Sequence, residues 1–291
     1  MAKNKEKKVR EPFNWKKEIK LTPGYLLVGI WVLFTIALFF WVLAASFSTS
    51  KEIITGQLFK FKTGLHPENY VTAWSANNIS RYFMNSAIYA VTATVFTILI
   101  SSPAAYVMSR FEFIANKTIK SGFIVAMSIP QIMIVLPLYG LATRANLVGS
   151  KPVLIMLYIG SQVPFTTTFL LTFFKNLSKT YEEAAAIDGC PPMKTFWKIM
   201  LPLAQPGIIT VGIFNFMNIW NEYFMSLIFG ANEKNMSVGP GLKSVLTAMQ
   251  YTGDWGGLFA SVMIVFAPTF IIYIFLSEKI IAGVTGGGIK G

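Results

Sequence analysis

Charge is what this sequence has least of. Only 13% of its 291 residues are charged, while 54% are hydrophobic and 15% aromatic. Soluble domains carry about 25% charged residues and need polar surface to cover their cores. A large hydrophobic globular enzyme is therefore a poor fit. Cysteine is almost absent: Cys190 stands alone, which excludes an internal disulfide and any CxxC or Cys/His metal spacing. Histidine is represented only by His66, read as a solvated loop residue, and no Ser/His/Asp or metal-ligating constellation assembles. There is no GxxxxGK[ST] phosphate loop; the nearest piece, Gly241-Leu242-Lys243-Ser244, lacks a Gly directly before the Lys.

The charge that is present is unbalanced, with 25 Lys and Arg, 13 Asp and Glu, and a net charge of +12. Nucleic-acid binding needs that basicity clustered on a polar surface. Here it flanks apolar runs, so no nucleic-acid partner is expected, and positive-inside membrane topology explains the bias. Crossing a bilayer core takes about 20 apolar helical residues. Six stretches qualify: 25–47, 82–109, 121–143, 152–174, 207–230 and 258–277. Five carry no charged residue, and 207–230 carries one, Glu222. The first run exceeds a signal-peptide core of about 7–15 residues, so it is read as a retained membrane helix. The second is longer than needed and is expected to tilt or to start along the membrane surface. With the N-terminus inside, 17 of the 25 basic residues fall in the cytoplasm and 8 outside. An even number of spans also puts both termini on one side. The expected architecture is an all-α polytopic membrane protein with a cytoplasmic basic segment (1–24), a transmembrane domain (25–282) and a cytoplasmic tail (283–291). Residues 48–81 are expected to hold a small outer subdomain, and 231–256, rich in glycine, to lie outside as well.

The inner loop 175–206 reads as two short helices joined by a corner. Thr180 and Glu183 have capping-box spacing, with Ser178 as an alternative cap. Ala184, Ala185 and Ala186 favour helix and add little bulk. Gly189 suits a left-handed C-terminal cap, and Pro191 and Pro192 suit the first turn of a second helix. That helix presents Met193, Phe196, Trp197, Met200 and Leu201 on one apolar face until Pro202 ends it. Physically this is either a docking element that a partner approaches closely or an amphipathic linker on the membrane surface.

Glu183-Ala184-Ala185, then Gly189, then Ile199-Met200-Leu201-Pro202 resembles the EAA loop of binding-protein-dependent ABC importer permeases. The chain departs from that pattern at Cys190 and Pro191, where members carry a small residue and a Ser-like cap. Asn85-Ser86, Ala105-Tyr106 with Ser109-Arg110, Pro137-Leu138-Tyr139, Pro164-Phe165, Phe173-Phe174 and Trp220-Asn221-Glu222-Tyr223-Phe224 resemble the carbohydrate branch, in its smaller maltose-type permease. The resemblance runs from about residue 25 to the end. It implies a helix–turn–helix coupling loop in which Glu183, Ala184, Ala185, Asp188 and Gly189 meet a cytoplasmic ATPase, with Gly286–Gly291 reaching the same interface. It implies a second, homologous permease as heterodimer partner, two ATPase subunits and an extracellular sugar-binding protein. ATP and Mg would sit on the ATPase subunits, with no cofactor in this chain, which is not an enzyme. The setting it implies is a bacterial or archaeal cell membrane. The expected cargo is a sugar, an oligosaccharide; a non-sugar solute of the same importer class and an ion-coupled secondary carrier are the alternatives.

An ionisable residue inside a span is a functional hypothesis by default. Glu222 lies roughly 22 Å from the inner start of its span at 1.5 Å per residue. On a helical wheel Asn215, Asn218 and Glu222 share a sector, with Asn221 further around and Gln162 contributed by the fourth span. Such side chains suit a translocation pathway or gate for hydroxyl-rich cargo, or bonds between helices and to a partner; both readings stand. Pro130, Pro137, Pro164 and Pro268 each permit a kink, and none alone is read as a hinge.

Overall fold

The structure is a computed structural model that describes residues 15–288. Residues 1–14 of the expected basic segment and 289–291 of the expected tail lie outside the described residues. Among the described residues there is no strand. Helix α1 (Trp15–Ser46) is followed by α2 (Ser50–Ile54), a 3₁₀ turn (Leu58–Lys60), α3 (Glu68–Ser75) and α4 (Ile79–Arg110). Next come α5 (Asn116–Ser128), α6 (Gln131–Arg144) and α7 (Lys151–Asn176). Beyond them lie α8 (Thr180–Ile187), α9 (Pro192–Thr195), a π turn (Phe196–Met200), α10 (Leu201–Leu203) and α11 (Gln205–Trp220). The chain closes with α12 (Phe224–Phe229), α13 (Val238–Thr252) and α14 (Trp255–Gly288).

By length and composition α1, α4, α7 and α14 suffice to cross a membrane. The count reaches six when two bent pairs are each taken as one span: α5 with α6, at 96°, and Pro192–Leu203 with α11, at 73°. The first bend falls inside the stretch 121–143, expected as one span, at Pro130. Pro130 has no N–H to continue α5, so α5 stops at Ser128 and α6 starts anew at Gln131. Pro137, Pro164 and Pro268 sit inside continuous helices. The span expected over 207–230 is also interrupted, because α11 ends at Trp220 and α12 begins at Phe224.

Helices α4 and α7 form the spine of the bundle. Along the middle of α4 the buried face is built from small residues, Ala90, Ala93, Thr94, Thr97, Ser101, Ser102 and Ala105. Small side chains let membrane helices approach closely where lipid gives no hydrophobic drive to associate. Aromatic clusters close both ends of this spine. At one end Tyr89 and Tyr158 meet at 6.1 Å, and Trp220 stacks on Phe216 at 5.7 Å while its indole N–H donates to the Val265 carbonyl at 3.1 Å. At the other, the Tyr106 ring lies 5.6 Å from Phe174 and 5.0 Å from Phe196. Helix α1 packs on α14, with Phe39 stacked on Phe270 at 5.3 Å. Its most apolar stretch leaves nothing buried, as expected of a helix facing lipid.

The Gly-rich segment 231–256 contains α13. Val238, Val245 and Met249 turn inward as a helical stripe, and the glycines serve close packing rather than looseness. A Cβ on Gly241 would lie 2.3 Å from the Tyr82 ring. The chain leading into α13 is pinned to α4. Asn85 Nδ2 donates to the Lys234 and Met236 carbonyls, both at 2.9 Å, and its Oδ1 accepts from Lys151 Nζ at 2.7 Å. Ser86 Oγ accepts from the Val238 N–H at 2.9 Å.

Between α1 and α4 a small cap is organised by Glu52. Its carboxylate accepts the Thr49 and Thr63 N–H groups at 3.1 and 3.3 Å and both threonine hydroxyls. The Thr49 N–H, aided by the other donors and opposed by burial, pulls the Glu52 carboxyl down to about 2 from an ordinary 4.5. A carboxyl depressed in the folded state contributes stability that is complete above its unfolded value and is lost as pH falls toward the folded one. The cap therefore weakens as pH drops from 4.5 toward 2. Amide hydrogen exchange at Thr63, corrected for its intrinsic rate, is expected to accelerate across that window, and Glu52→Gln to show the fast exchange at neutral pH as well. Equal protection on both sides of the window would contradict this role.

Candidate functional site: a polar cavity and a protruding loop

Where α11 breaks, a cavity of about 480 Å³ opens among α6, α7 and the 218–224 segment. Its lining is mostly polar: Gln131, Tyr158, Ser161, Gln162, Asn218, Asn221, Glu222 and Tyr223, with Ile219 and Phe224. Glu222 is the only charged residue among them. Its carboxylate is held three times. Oε1 accepts the Met225 N–H at 2.7 Å, and Oε2 accepts the Ser226 N–H at 3.2 Å and the Tyr158 hydroxyl at 2.9 Å. The first turn of any helix has N–H groups with no partner inside the helix. Glu222 supplies partners to two of them in α12, and a negative charge at a helix N-terminus is favoured by the peptide dipoles. That is how a carboxylate is accommodated at the helix break, where an unpaired one would be costly to bury.

Of the residues expected along a pathway, Gln162, Asn218, Asn221 and Glu222 share this cavity. Asn221 also donates from Nδ2 to the Met217 carbonyl at 2.8 Å. Asn215 is placed elsewhere. It is fully buried and paired with Thr166, its Nδ2 donating to Oγ1 at 2.9 Å, so it joins α11 to α7. Tyr158, Ser161 and Gln131 complete the cavity and were not singled out by sequence reasoning. Their signal was spacing: Tyr158, Ser161 and Gln162 are three and four positions apart on α7, one helix face. Gln131 follows the proline at the break.

The loop has the expected corner, with a different construction. Gly189 has φ +70°, the left-handed conformation that favours glycine. The Thr180–Glu183 capping box is not formed; Ser178 Oγ accepts the Thr180 N–H at 3.2 Å. Pro202 does not end the second helix, which runs on through α10 to Leu203. Lacking an N–H, Pro202 cannot bond four residues back, and the Leu201 N–H reaches the Phe196 carbonyl to make the π turn. This splits the expected apolar face. Phe196 and Met200 are buried, whereas Met193 is 70% and Trp197 46% exposed. Glu183, Ala184, Asp188 and Gly189 stand at the surface and Ala185 faces inward. Ile187 at the tip is 87% exposed. The loop's ion pair belongs to Glu182, whose Oε1 accepts from Arg110 Nε at 2.8 Å. Sequence reasoning passed over Glu182, and nothing in the local pattern separates it from Glu183.

The family model described as "binding-protein-dependent transport system inner membrane component" matches residues 98–280. The diacetylchitobiose uptake system permease protein NgcG of Streptomyces coelicolor is 31% identical over 264 residues, covering 91% of this chain and 87% of that protein. The trehalose/maltose transport system permease protein MalG of Thermococcus litoralis is 31% identical over 278 residues, covering 94% and 98%. A crystal structure of a bacterial ABC transporter involved in importing the acidic polysaccharide alginate contains a chain that matches with a TM-score of 0.76. It covers 92% of this chain and 99% of that one at 18% identity, a likeness of fold.

The Glu222 clasp makes a specific prediction. Glu222→Ala strips the Met225 and Ser226 amides of their acceptor, at a cost of about 1–3 kcal/mol per unsatisfied buried group. Amide exchange at those two positions is expected to accelerate at least about tenfold, the equivalent of about 1.4 kcal/mol. Tyr158→Phe, which removes only the third bond, is expected to cause a smaller change. Unaltered protection in Glu222→Ala would rule the clasp out.

Proposed function

Because this chain belongs to the binding-protein-dependent transport system inner membrane components, we propose that its cargo is a sugar, an uncharged oligosaccharide, passed through the cavity at the broken fifth span. The chain is a multi-pass permease component of an ATP-binding-cassette importer and not itself an enzyme. Family membership removes the ion-coupled carrier alternative.

The cavity lining carries the cargo proposal. Amides of Gln131, Gln162, Asn218 and Asn221 and the hydroxyls of Tyr158 and Ser161 offer paired donors and acceptors, which hydroxyl-rich solutes need to replace their water. Tyr223 and Phe224 add aromatic faces, which pack apolar ring surfaces. No Lys or Arg lines the cavity, and its one charge is negative. An anionic glycan would meet a carboxylate with no counter-charge, so an uncharged one is the better fit. Relatives named for diacetylchitobiose and trehalose/maltose uptake support the same cargo class.

The remaining assembly follows the same reading. The loop end of the bundle faces the cytoplasm, as 17 of the 25 basic residues favour, in the cell membrane of a bacterium or archaeon. The partners are a second, homologous permease, two ATPase subunits that hold ATP and Mg, and an extracellular binding protein. Glu183, Ala184, Ala185, Asp188 and Gly189 form the contact with one ATPase, beside the exposed Ile187 and Met193. An exposed apolar tip of this kind marks an interaction surface. Closure of the ATPases on ATP moves the loop and turns the bundle outward; hydrolysis resets it.

Reconstituted with its partners in liposomes, the complex is expected to show ATPase activity stimulated by loaded binding protein and uptake of uncharged di- to tetrasaccharides in preference to uronate analogues. Gly189→Pro combined with Glu183→Lys is expected to abolish stimulation and uptake, since proline is locked near φ −65° and cannot make the corner. Survival of both activities would reduce the loop to a linker, and preferential uptake of uronates would overturn the cargo assignment.

A further inference from the structure

A cleft of about 250 Å³ separates the end of α4 from α8 and α9, and Tyr106, Arg110, Glu182 and Thr195 contribute to its walls. Arg110, the last residue of α4, spends its guanidinium on two other elements. Nε donates to Glu182 Oε1 in the first turn of α8, and Nη2 donates to the carbonyl of Leu177, the residue that closes α7, both at 2.8 Å. Helix ends leave carbonyls without partners, and Arg110 satisfies one of them. The side chains of Arg110 and Glu182 are 6% and 19% exposed, so solvent and salt screen the pair little. Among the described residues this is the only bridge between Lys or Arg and a carboxylate. The neighbouring Glu183 and Asp188 face solvent. Inward contact from α8 itself comes from Ala185, whose side chain is a single methyl. The Tyr106 hydroxyl of α4 also hydrogen-bonds Glu182, but the guanidinium, carried by α4, ties α8 and the closing residue of α7 together at once.

We propose that Arg110 is a positioning residue for energy coupling: it locks α8 to the joined ends of α4 and α7, so that displacement of the loop moves the spine instead of swinging the loop about its Gly189 corner. This rests on the coupling reading of the loop. A planar fork with fixed donors suits the role, and a lysine, a single point charge, serves two acceptors in different elements less well.

The test uses the assembled transporter and compares Arg110→Ala, Glu182→Ala, the double variant and Arg110→Lys. Subunit co-purification and basal ATPase are expected to stay within about twofold of the parent, while stimulation by cargo-loaded binding protein falls about tenfold in each alanine variant. The double variant should fall no further than Glu182→Ala, which already removes the contacts of Glu182 with Arg110 and Tyr106, because contacting residues that act as one unit are non-additive. Arg110→Lys should lie between parent and Arg110→Ala. Normal stimulation in either alanine variant, multiplication of the two losses in the double variant, or a parallel loss of basal activity would each overturn the proposal. Should the alanine variants fail to fold, Glu182→Gln keeps shape and an acceptor while removing charge. It must lose part of the stimulation at an unchanged thermal midpoint, and full stimulation would overturn the proposal. Gly189→Pro separates the two levels: if it leaves stimulation intact, the coupling reading itself fails, whereas if it abolishes stimulation and the Arg110 and Glu182 variants do not, only the role of Arg110 fails.

Discussion

A lipid bilayer offers no hydrogen bonds, so every backbone N–H and C=O at membrane depth must be satisfied by the protein. Long helices meet this requirement on their own, and α1, α4, α7 and α14 do so. The informative places are those where a helix stops. At α11–α12 the carboxylate of Glu222 takes the amides that the break leaves open, with the Tyr158 hydroxyl steadying its second oxygen. The same break turns Asn218, Asn221 and Glu222 toward a polar cavity. Interruption of the helix, the buried charge and the cavity are one arrangement: remove the carboxylate and the break loses its partners; restore the helix and the cavity loses its wall.

The α4–α7 spine gives this arrangement a rigid frame. Small residues on α4 bring the two helices close, and an interior packed at crystal-like density transmits displacement instead of absorbing it. Tyr158 stands on α7 in the aromatic cluster beside the cavity, while Tyr106 on α4 and Phe174 on α7 belong to the cluster beside the loop. The loop thus meets the last residues of α4 and α7, while the cavity opens on α7 at Tyr158, Ser161 and Gln162. Pinning of the 234–238 segment by Asn85 and Ser86, and of α8 by Arg110, fixes what projects from each end.

Much of this was legible in the sequence because the bilayer imposes so simple a pattern. Uncharged runs of about 20 residues located the membrane helices, and Gly189 between an Ala-rich helix and two prolines located the corner. The breaks were not legible, since membrane helices tolerate proline well: Pro130 ends a helix where Pro103, Pro137, Pro164 and Pro268 do not. The helical wheel that grouped Asn215 with Glu222 assumed one unbroken helix. With α11 ending at Trp220, the phase does not carry to Glu222, and Asn215 pairs with Thr166 instead. Helix α13 was hidden by its glycines, whose use is close approach, as Gly241 against the Tyr82 ring shows. Such packing becomes visible only when the partner is known.

The central claim is that the cavity at the helix break is the path of the cargo. With the lone native cysteine removed by Cys190→Ser, Asn218→Cys and Asn215→Cys can be probed separately in the reconstituted transporter with a membrane-impermeant maleimide. The account predicts that Asn218→Cys is labelled and that turnover with sugar-loaded binding protein slows the labelling, while Asn215→Cys, held between α11 and α7, stays unlabelled. Labelling of Asn218→Cys that ignores the sugar, or equal labelling at both positions, would contradict it.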